Sequence, residues 1–541
     1  MRFFRRRRSS PASPAPNVQP LADHGLLFTF GDRIDAELSR RIVRLAGEIE
    51  DRALPSVVDA VPSYTTLLLI IDPAVADREA LRATVLGAWV MIAARDTGDA
   101  AARDVVIPVV YGGEHGPDLD DVAQVTGMSQ DEVIERHRNG IYQVGAIGFA
   151  PGFAFLIGLP PELAVPRRST PRTLVPAGSV GIGGSQTGIY SLPTPGGWSL
   201  IGKTSLKMFD PDRDPPSLLM AGDRVRFEQV SETPALEKSA PSPRVTSGPS
   251  FHDAIEVVTP GLQTTIQDLG RSGYGQMGVA PVGAVDRTAL VAGNRLLGNP
   301  DNAAALEITL VGPSLRFLKP GRISLTGAEL GATLNEFRMP AGSTRVVGPG
   351  DELRFGPIHF SNGARAYLCV AGGIDVPERM GSRSTDLNAR FGGFDGRALL
   401  TGDRLRTGTL PRLATLTTGA TASMTKVFRV VEGPQRERFD DDTWQTFVHQ
   451  EFTVSSSSNR MGIRLDGPRV PPSGGADIIS EGMVTGAIQV TGEGQPIVML
   501  PARATIGGYP KIAVVIAADL DALGQLRPGD RIRFEAVSLG D

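Results

Sequence analysis

The chain has 541 residues, enough for three or four packed domains at roughly 100–200 residues each. Hydrophobic residues make up 41%, charged residues 21%, and the net charge is −4, so ordinary cores are expected and no basic field favours nucleic acid or an anionic membrane. The single cysteine, Cys369, excludes an internal disulfide or a zinc cluster, and no run of 18 apolar residues predicts a membrane span.

In chain order, residues 1–22 begin Met1-Arg2-Phe3-Phe4, then four arginines, then Pro, Ala and Ser. No apolar segment follows, so neither a secretory nor a twin-arginine signal is predicted, and the stretch reads as a disordered tail. Residues 23–104 carry a helical period from Ile34 to Arg52, a β-rich run from Tyr64 to Ile71 and a second helix from Arg78 to Ala94. That mixture predicts an α+β unit. Over 105–230, short β-rich runs alternate with Gly and Pro, interrupted by a helical insertion from Asp118 to Arg138. Residues 231–252, rich in Pro, Ser and charge, predict a linker. The remainder, 253–412 and 413–541, has the short-strand texture of barrels or sandwiches, divided by a low-complexity patch from Ala414 to Thr425. Four Gly-Asp turns feed alternating strands: Gly222-Asp223, Gly350-Asp351, Gly402-Asp403 and Gly529-Asp530. Their repetition predicts related barrel units.

The runs IPVVYGGEHGPDLDDVA at 107–123 and GAIGFAPGFAFLIGLP from Gly145, with PAGSVGIGGSQTGIYSLPTPGGWSLIGKT ending at Thr204, resemble the family of the 5-oxoprolinase B-type subunit. VVTPGLQTTIQDLGRSGYGQMGV from Val257, then ALEITLVGPSLRF, AYLCVAGGIDVPERMGSRSTDL at 366–387 and GGYPKIAVVI at 507–516 resemble the C-type subunit. Nearly everything outside tail and linker is covered. The resemblance implies a mainly β fold with an α+β N-terminal unit and cyclophilin-like β-barrels in both halves. It implies one component of a cytoplasmic, ATP-dependent lactam hydrolase that opens 5-oxo-L-proline to L-glutamate with a separate A-type subunit. ATP, with or without magnesium, would be the cofactor; a homo-oligomer stays open, and no nucleic acid or membrane partner is implied. Two related branches supply alternatives: the carboxyltransferase component of a biotin-dependent urea or amide carboxylase, and a non-catalytic inhibitor of a histidine kinase. Leu206-Lys207-Met208 lacks the methionine that flanks a biotinyl lysine, so no covalent biotin is expected on this chain. Relatives of the C-type subunit usually carry serine at Val282, aspartate at Asn459, and Asp-Arg-Gln-Thr where Ala502-Arg503-Ala504-Thr505 stands here. These departures leave open whether the chemistry of the C-like half is altered.

Gly197 to Thr204 matches GxxxxGK[ST], but Asp210-Pro211 and Asp214-Pro215-Pro216 block the helix that a phosphate-binding loop needs. Lys203 is left as a cation for an anionic substrate or as a surface lysine. Arg167, Arg168 and Arg172 lie in a proline-stiffened loop suited to carboxylate or phosphate, or simply solvated. The glycine-dense run 176–188, with Gly178, Ser179, Gly183, Gly184, Gln186 and Thr187, is either a backbone that approaches a ligand or a tight hairpin. His137 is an acid–base candidate or a helix-end residue complementing the dipole. Asp268 with Arg271, and Asp286 with Arg287, set carboxylates beside arginines, for substrate or as surface ion pairs. Glu307, in an apolar run, needs a partner or a raised pKa. Lys511 either offsets negative charge or snorkels. The expected catalytic set is therefore His137, Lys203, Asp286, Glu481 and Lys511. The expected binding set is Arg167, Arg168, Gly178, Ser179, Gly183, Gly184, Gln186, Thr187, Arg287 and Tyr509. The six histidines are scattered, so no metal site is expected.

Overall fold

The computed structural model describes residues 15–94, 102–232, 253–356, 362–409 and 425–539. The expected linker and the low-complexity patch lie almost wholly outside these ranges. Residues 17–94 form a four-stranded sheet, β1 (Asn17–Pro20), β2 (Gly25–Thr29), β3 (Val57–Pro62) and β4 (Thr66–Ile71), in the order β1-β2-β4-β3. Helices α1 (Ala36–Asp51) and α2 (Arg78–Ala94) cover one face. The side chain of Asp35 accepts the Leu38 N–H at 2.7 Å and starts α1. The apolar run of β4 is explained by burial on both faces, because alternate residues point opposite ways. Leu67 and Leu69 join the helices, whereas Leu68 packs with Met483, Val484 and Ile506 of the C-terminal region.

Residues 17–22 of the expected tail are part of the fold, and residues 1–14 lie outside the described residues. Asn17–Pro20 pairs with β2, and Leu21 and Ala22 are fully buried in the seam with the C-terminal region. Strand pairing and that distant contact order a segment whose own composition carries no signal.

A closed seven-stranded barrel follows. Its strands are β5 (Asp104–Tyr111), β6 (Tyr142–Ile147), β7 (Ala154–Ile157), β9 (Ser179–Gly183), β10 (Gln186–Ile189), β12 (Ser199–Lys203) and β13 (Arg224–Gln229). A ribbon of β8 (Arg172–Val175) and β11 (Thr194–Gly196) lies beside it. The barrel closes by parallel pairing of its first and last strands, β5 and β13. The helical insertion is two helices, α3 (Leu119–Thr126) and α4 (Gln130–Asn139). Gly127, at φ 70°, ends α3, and a capping box of Ser129 with Glu132 starts α4.

Residues 253–407 stack a seven-stranded sheet on a five-stranded one around Ile255, Leu306, Leu368 and Leu405, with helix α5 (Arg287–Leu297) packed on the smaller sheet. The C-terminal unit is a second closed seven-stranded barrel. It too closes by parallel pairing of its first and last strands, Val427–Glu432 with Arg531–Ala536.

Only two of the four Gly-Asp turns therefore enter barrels; Gly350 and Gly402 feed strands of the open sheet. What the four share is local. Each glycine has φ between 87° and 91°, and each aspartate accepts the N–H three residues before it at 2.7–2.9 Å. The motif specifies a turn, which any antiparallel sheet can use.

Candidate functional site

A set of buried charged side chains lies along the contact between the N-terminal sheet and the C-terminal region. A two-residue ribbon, Glu481–Gly482 with Ile506–Gly507, lies against β4. A Cβ at Gly482 would collide with Leu68, so only glycine lets the ribbon sit there. Ser63 donates to the Ser480 carbonyl at 2.6 Å and fixes the approach.

Lys511 begins a strand of the second barrel and is completely buried. Its Nζ lies 2.6 Å from Oε1 of Glu481, an ion pair without the alignment of a hydrogen bond. Gln435 clamps the couple. Its Nε2 donates to Glu481 Oε1 at 2.8 Å, and its Oε1 accepts the Lys511 N–H at 3.1 Å. Following the other strand of the ribbon, Arg503 is 3% exposed and donates through Nε to the Met483 carbonyl at 3.1 Å. Burial lowers its pKa to about 10, partly offset by Asp59 of β3. Arg271, equally buried, lies 4.5 Å over the Phe391 ring and donates Nη2 to the Ser384 carbonyl at 2.7 Å. Three cations held away from water can oppose negative charge that develops on a substrate far more strongly than surface cations can.

The structure brings Glu481 and Lys511 together, with Tyr509 two residues from the lysine and 43% exposed. It does not bring the remaining expected residues to them. His137 is a core residue: Nδ1 meets Tyr111 Oη at 2.8 Å and Nε2 meets Thr187 Oγ1 at 3.0 Å. Burial pushes its pKa down to about 3, so it is no acid–base group near neutrality. Arg168 and Arg172 both bind Asp118, at 3.0 and 2.6 Å, which also accepts the Leu200 N–H. The arginine loop is tied to its own barrel through Asp118, with Arg167 and Arg168 exposed and Arg172 half-buried. Ser179 is buried beside Lys203 in the sheet, and Lys203 is half-buried with no ion-pair partner among the described residues.

The glycine run is a hairpin, β9–β10, packed on Trp198. A Cβ at Gly183 would lie 2.5 Å from the indole, and Gly178 abuts the Thr204 carbonyl. Gly184 forms the turn, and Gln186 donates to Tyr64 Oη at 2.6 Å. Asp286 is the N-cap of α5, accepting the Ala289 N–H at 2.8 Å, and Arg287 is exposed. Asp268 does not pair with Arg271; it accepts from Ser382, Ser384 and two backbone amides. Glu307 has the partners its apolar setting demanded: Arg460, Tyr367 Oη at 2.8 Å, and the Val285 N–H at 3.0 Å. Val282 and Ala502 bury against each other, while Asn459 is exposed and accepts the Met461 N–H. Gln435 and Asp59 carried no local sequence signal; Arg503 stood in the Ala502–Thr505 run but was masked by its altered neighbours.

Two outcomes follow from these placements. Gly183→Ala should destabilise the chain by about 1–3 kcal/mol through overpacking on Trp198, read as a drop in melting temperature. The unfolded state protonates His137 below pH 6.5, while the folded state resists until about pH 3. Its contribution is therefore full above pH 6.5 and is lost on acidification at about 1.4 kcal/mol per pH unit. Urea denaturation at pH 7 and 4.5 should show a smaller loss in His137→Gln than in the parent chain.

Residues 16–219 match the family described as carboxyltransferase domain, subdomain C and D, and residues 277–536 match carboxyltransferase domain, subdomain A and B. Two closed barrels joined across a charged seam are thus those of a carboxyltransferase-domain protein. The chain is 41% identical over 225 residues to the 5-oxoprolinase B-type subunit of Bacillus subtilis, covering 93% of it. It is 40% identical over 287 residues to the 5-oxoprolinase C-type subunit of Escherichia coli, covering 92%. The two matches occupy 40% and 53% of this chain. It belongs to the family of the 5-oxoprolinase B-type and C-type subunits, with both sequences in one polypeptide. The crystal structure of TTHA0988 is similar over 94% of this chain and 99% of its own, with TM-score 0.83 and 36% identity. Urea amidolyase of Lachancea kluyveri is 34% identical over 315 residues, which span 17% of that protein.

Proposed function

We propose that this chain is the combined B-type and C-type component of an ATP-dependent 5-oxoprolinase, opening 5-oxo-L-proline to L-glutamate with a separate A-type subunit. The observation that carries this reading is coverage. Both halves match proteins named as 5-oxoprolinase subunits over nearly their whole length, whereas the urea amidolyase match takes in a small part of that protein. The seam supports it chemically. A lactam carbonyl resists water, and the charge that develops on its oxygen needs buried cations; Lys511, Arg503 and Arg271 are of that kind.

The residues expected to hold ATP do not build a phosphate cradle. Ser199–Lys203 is a strand, and Arg168 and Arg172 are committed to Asp118. ATP stays a proposed co-substrate. Among the described residues, no helix is long and apolar enough to cross a membrane; the proposed setting is the cytoplasm.

The deciding experiment assays the purified chain with the A-type subunit, ATP and 5-oxoproline, and in parallel with carboxybiotin and urea. ATP-dependent glutamate release that requires both proteins is expected. Urea-dependent decarboxylation of carboxybiotin would replace this reading with the carboxyltransferase one. Silence in both assays would favour a non-catalytic binding protein.

A further inference from the structure

A cavity of about 490 Å³ lies in the central unit, lined by residues of both the seven-stranded and the five-stranded sheet. That size suits a small molecule. Its deepest lining is apolar: Ile255 and Phe317 come from the larger sheet, Val347 and Val370 from the smaller, and none is more than 5% exposed. Its rim carries Lys319, Arg406 and Asp375. Lys319 is half-buried and has no ion-pair partner among the described residues. Arg406 belongs to the strand Arg404–Thr407 and stands directly opposite Asp253 on one side and Asp375 on the other. Side chains paired in this way share a face of the sheet. The Nε of Arg406 lies 3.9 Å from Asp253 Oδ1 and makes no hydrogen bond among the described residues. Asp375 is exposed, and among the described residues it closes no ion pair. Two cations and one carboxylate thus face a single cavity above an apolar floor.

The rim charges select among ligand classes. A simple carboxylate suits Lys319 and Arg406 but sets its negative charge near Asp375 with nothing to offset it; a simple amine meets the two cations. A phosphate brings still more negative charge to the same carboxylate. An α-amino acid carries both signs on one carbon. We propose that this cavity binds a small aliphatic α-amino acid, with its carboxylate on Lys319 and Arg406, its ammonium on Asp375 and its side chain on the apolar floor. Every polar contact is then charge-assisted, and the apolar part of the ligand leaves water. None of these residues belongs to the Glu481–Lys511 set, so the assignment does not rest on the lactam-opening reading.

The test uses the full chain and isothermal titration with L-leucine, isocaproate, which lacks the ammonium, and isoamylamine, which lacks the carboxylate. The parent chain should bind leucine roughly tenfold or more tighter than either analogue, the worth of one charge-assisted contact. Asp375→Asn should erase the preference over isocaproate. Lys319→Met should weaken leucine and isocaproate but not isoamylamine. Gly321 supplies a control for place. It lines the cavity, its φ is not in the left-handed region, and a Cβ there would meet only Val347, at 3.7 Å. Gly321→Val should therefore fill the cavity and abolish leucine binding while the melting temperature holds. The comparison of the three compounds on the parent chain needs no variant, so misfolding of a variant does not rescue the idea. No binding of leucine, equal affinity for all three compounds, or leucine binding that survives Gly321→Val overturns the assignment.

Discussion

Glu307→Gln is expected to destabilise the chain by about 3–5 kcal/mol, the cost of breaking a buried ion pair from one side. Glu307 is 1% exposed and pairs with Arg460, itself 6% exposed, while Arg365 lies 3.6 Å away. Burial alone would raise the Glu307 pKa, but the two guanidinium groups and the hydrogen bonds from Val285 and Tyr367 more than compensate, and the pKa ends lowered. Glutamine keeps the shape and loses the charge, which leaves two buried cations facing each other. The network ties the central sheets to the second barrel, since Arg460 also donates to the Gly283 carbonyl and Arg365 to that of Gly524 at 2.5 Å. Guanidinium chloride unfolding should show the loss as a lowered midpoint. A change below about 1 kcal/mol would mean that water reaches the pair and screens it.

Assayed with the A-type subunit present, Lys511→Met should lower turnover by about 10²–10³-fold if its ammonium opposes charge on the reacting carbonyl. It should also cost several kcal/mol of stability, because the Glu481 carboxylate is left buried with only Gln435 as donor. The double variant Lys511→Met/Glu481→Gln separates the two effects. Removing both charges should restore most of the stability while turnover stays low. Recovery of turnover with stability would show that the couple is purely structural.

Much of the local architecture was legible beforehand, for local reasons. The 3.6-residue period placed α1 and α2 within a few residues, because one face of each helix must meet the sheet. The Gly-Asp turns were legible because a positive-φ glycine and an aspartate closing on an N–H three residues back need nothing from elsewhere in the chain. Their reading as marks of related barrel units failed for two of the four, for the same reason: a turn does not carry the topology of the sheet it serves. At the candidate site, the polar positions of Glu481 and Lys511 were visible as residue types, but the contact between them was not.

By itself, then, the sequence determined the family, the helices and turns, and the requirement that a carboxylate inside an apolar run be neutralised. Tertiary structure alone decided which groups do the neutralising: Arg460, 153 positions from Glu307, and Gln435, 46 and 76 positions from Glu481 and Lys511. It also decided that Arg168 and Arg172 pair with Asp118, 50 and 54 positions away. The physical reason is range. Backbone preference and periodicity act over a few residues, whereas burial and charge pairing depend on which surfaces the folded chain presses together, and no short window of sequence records that.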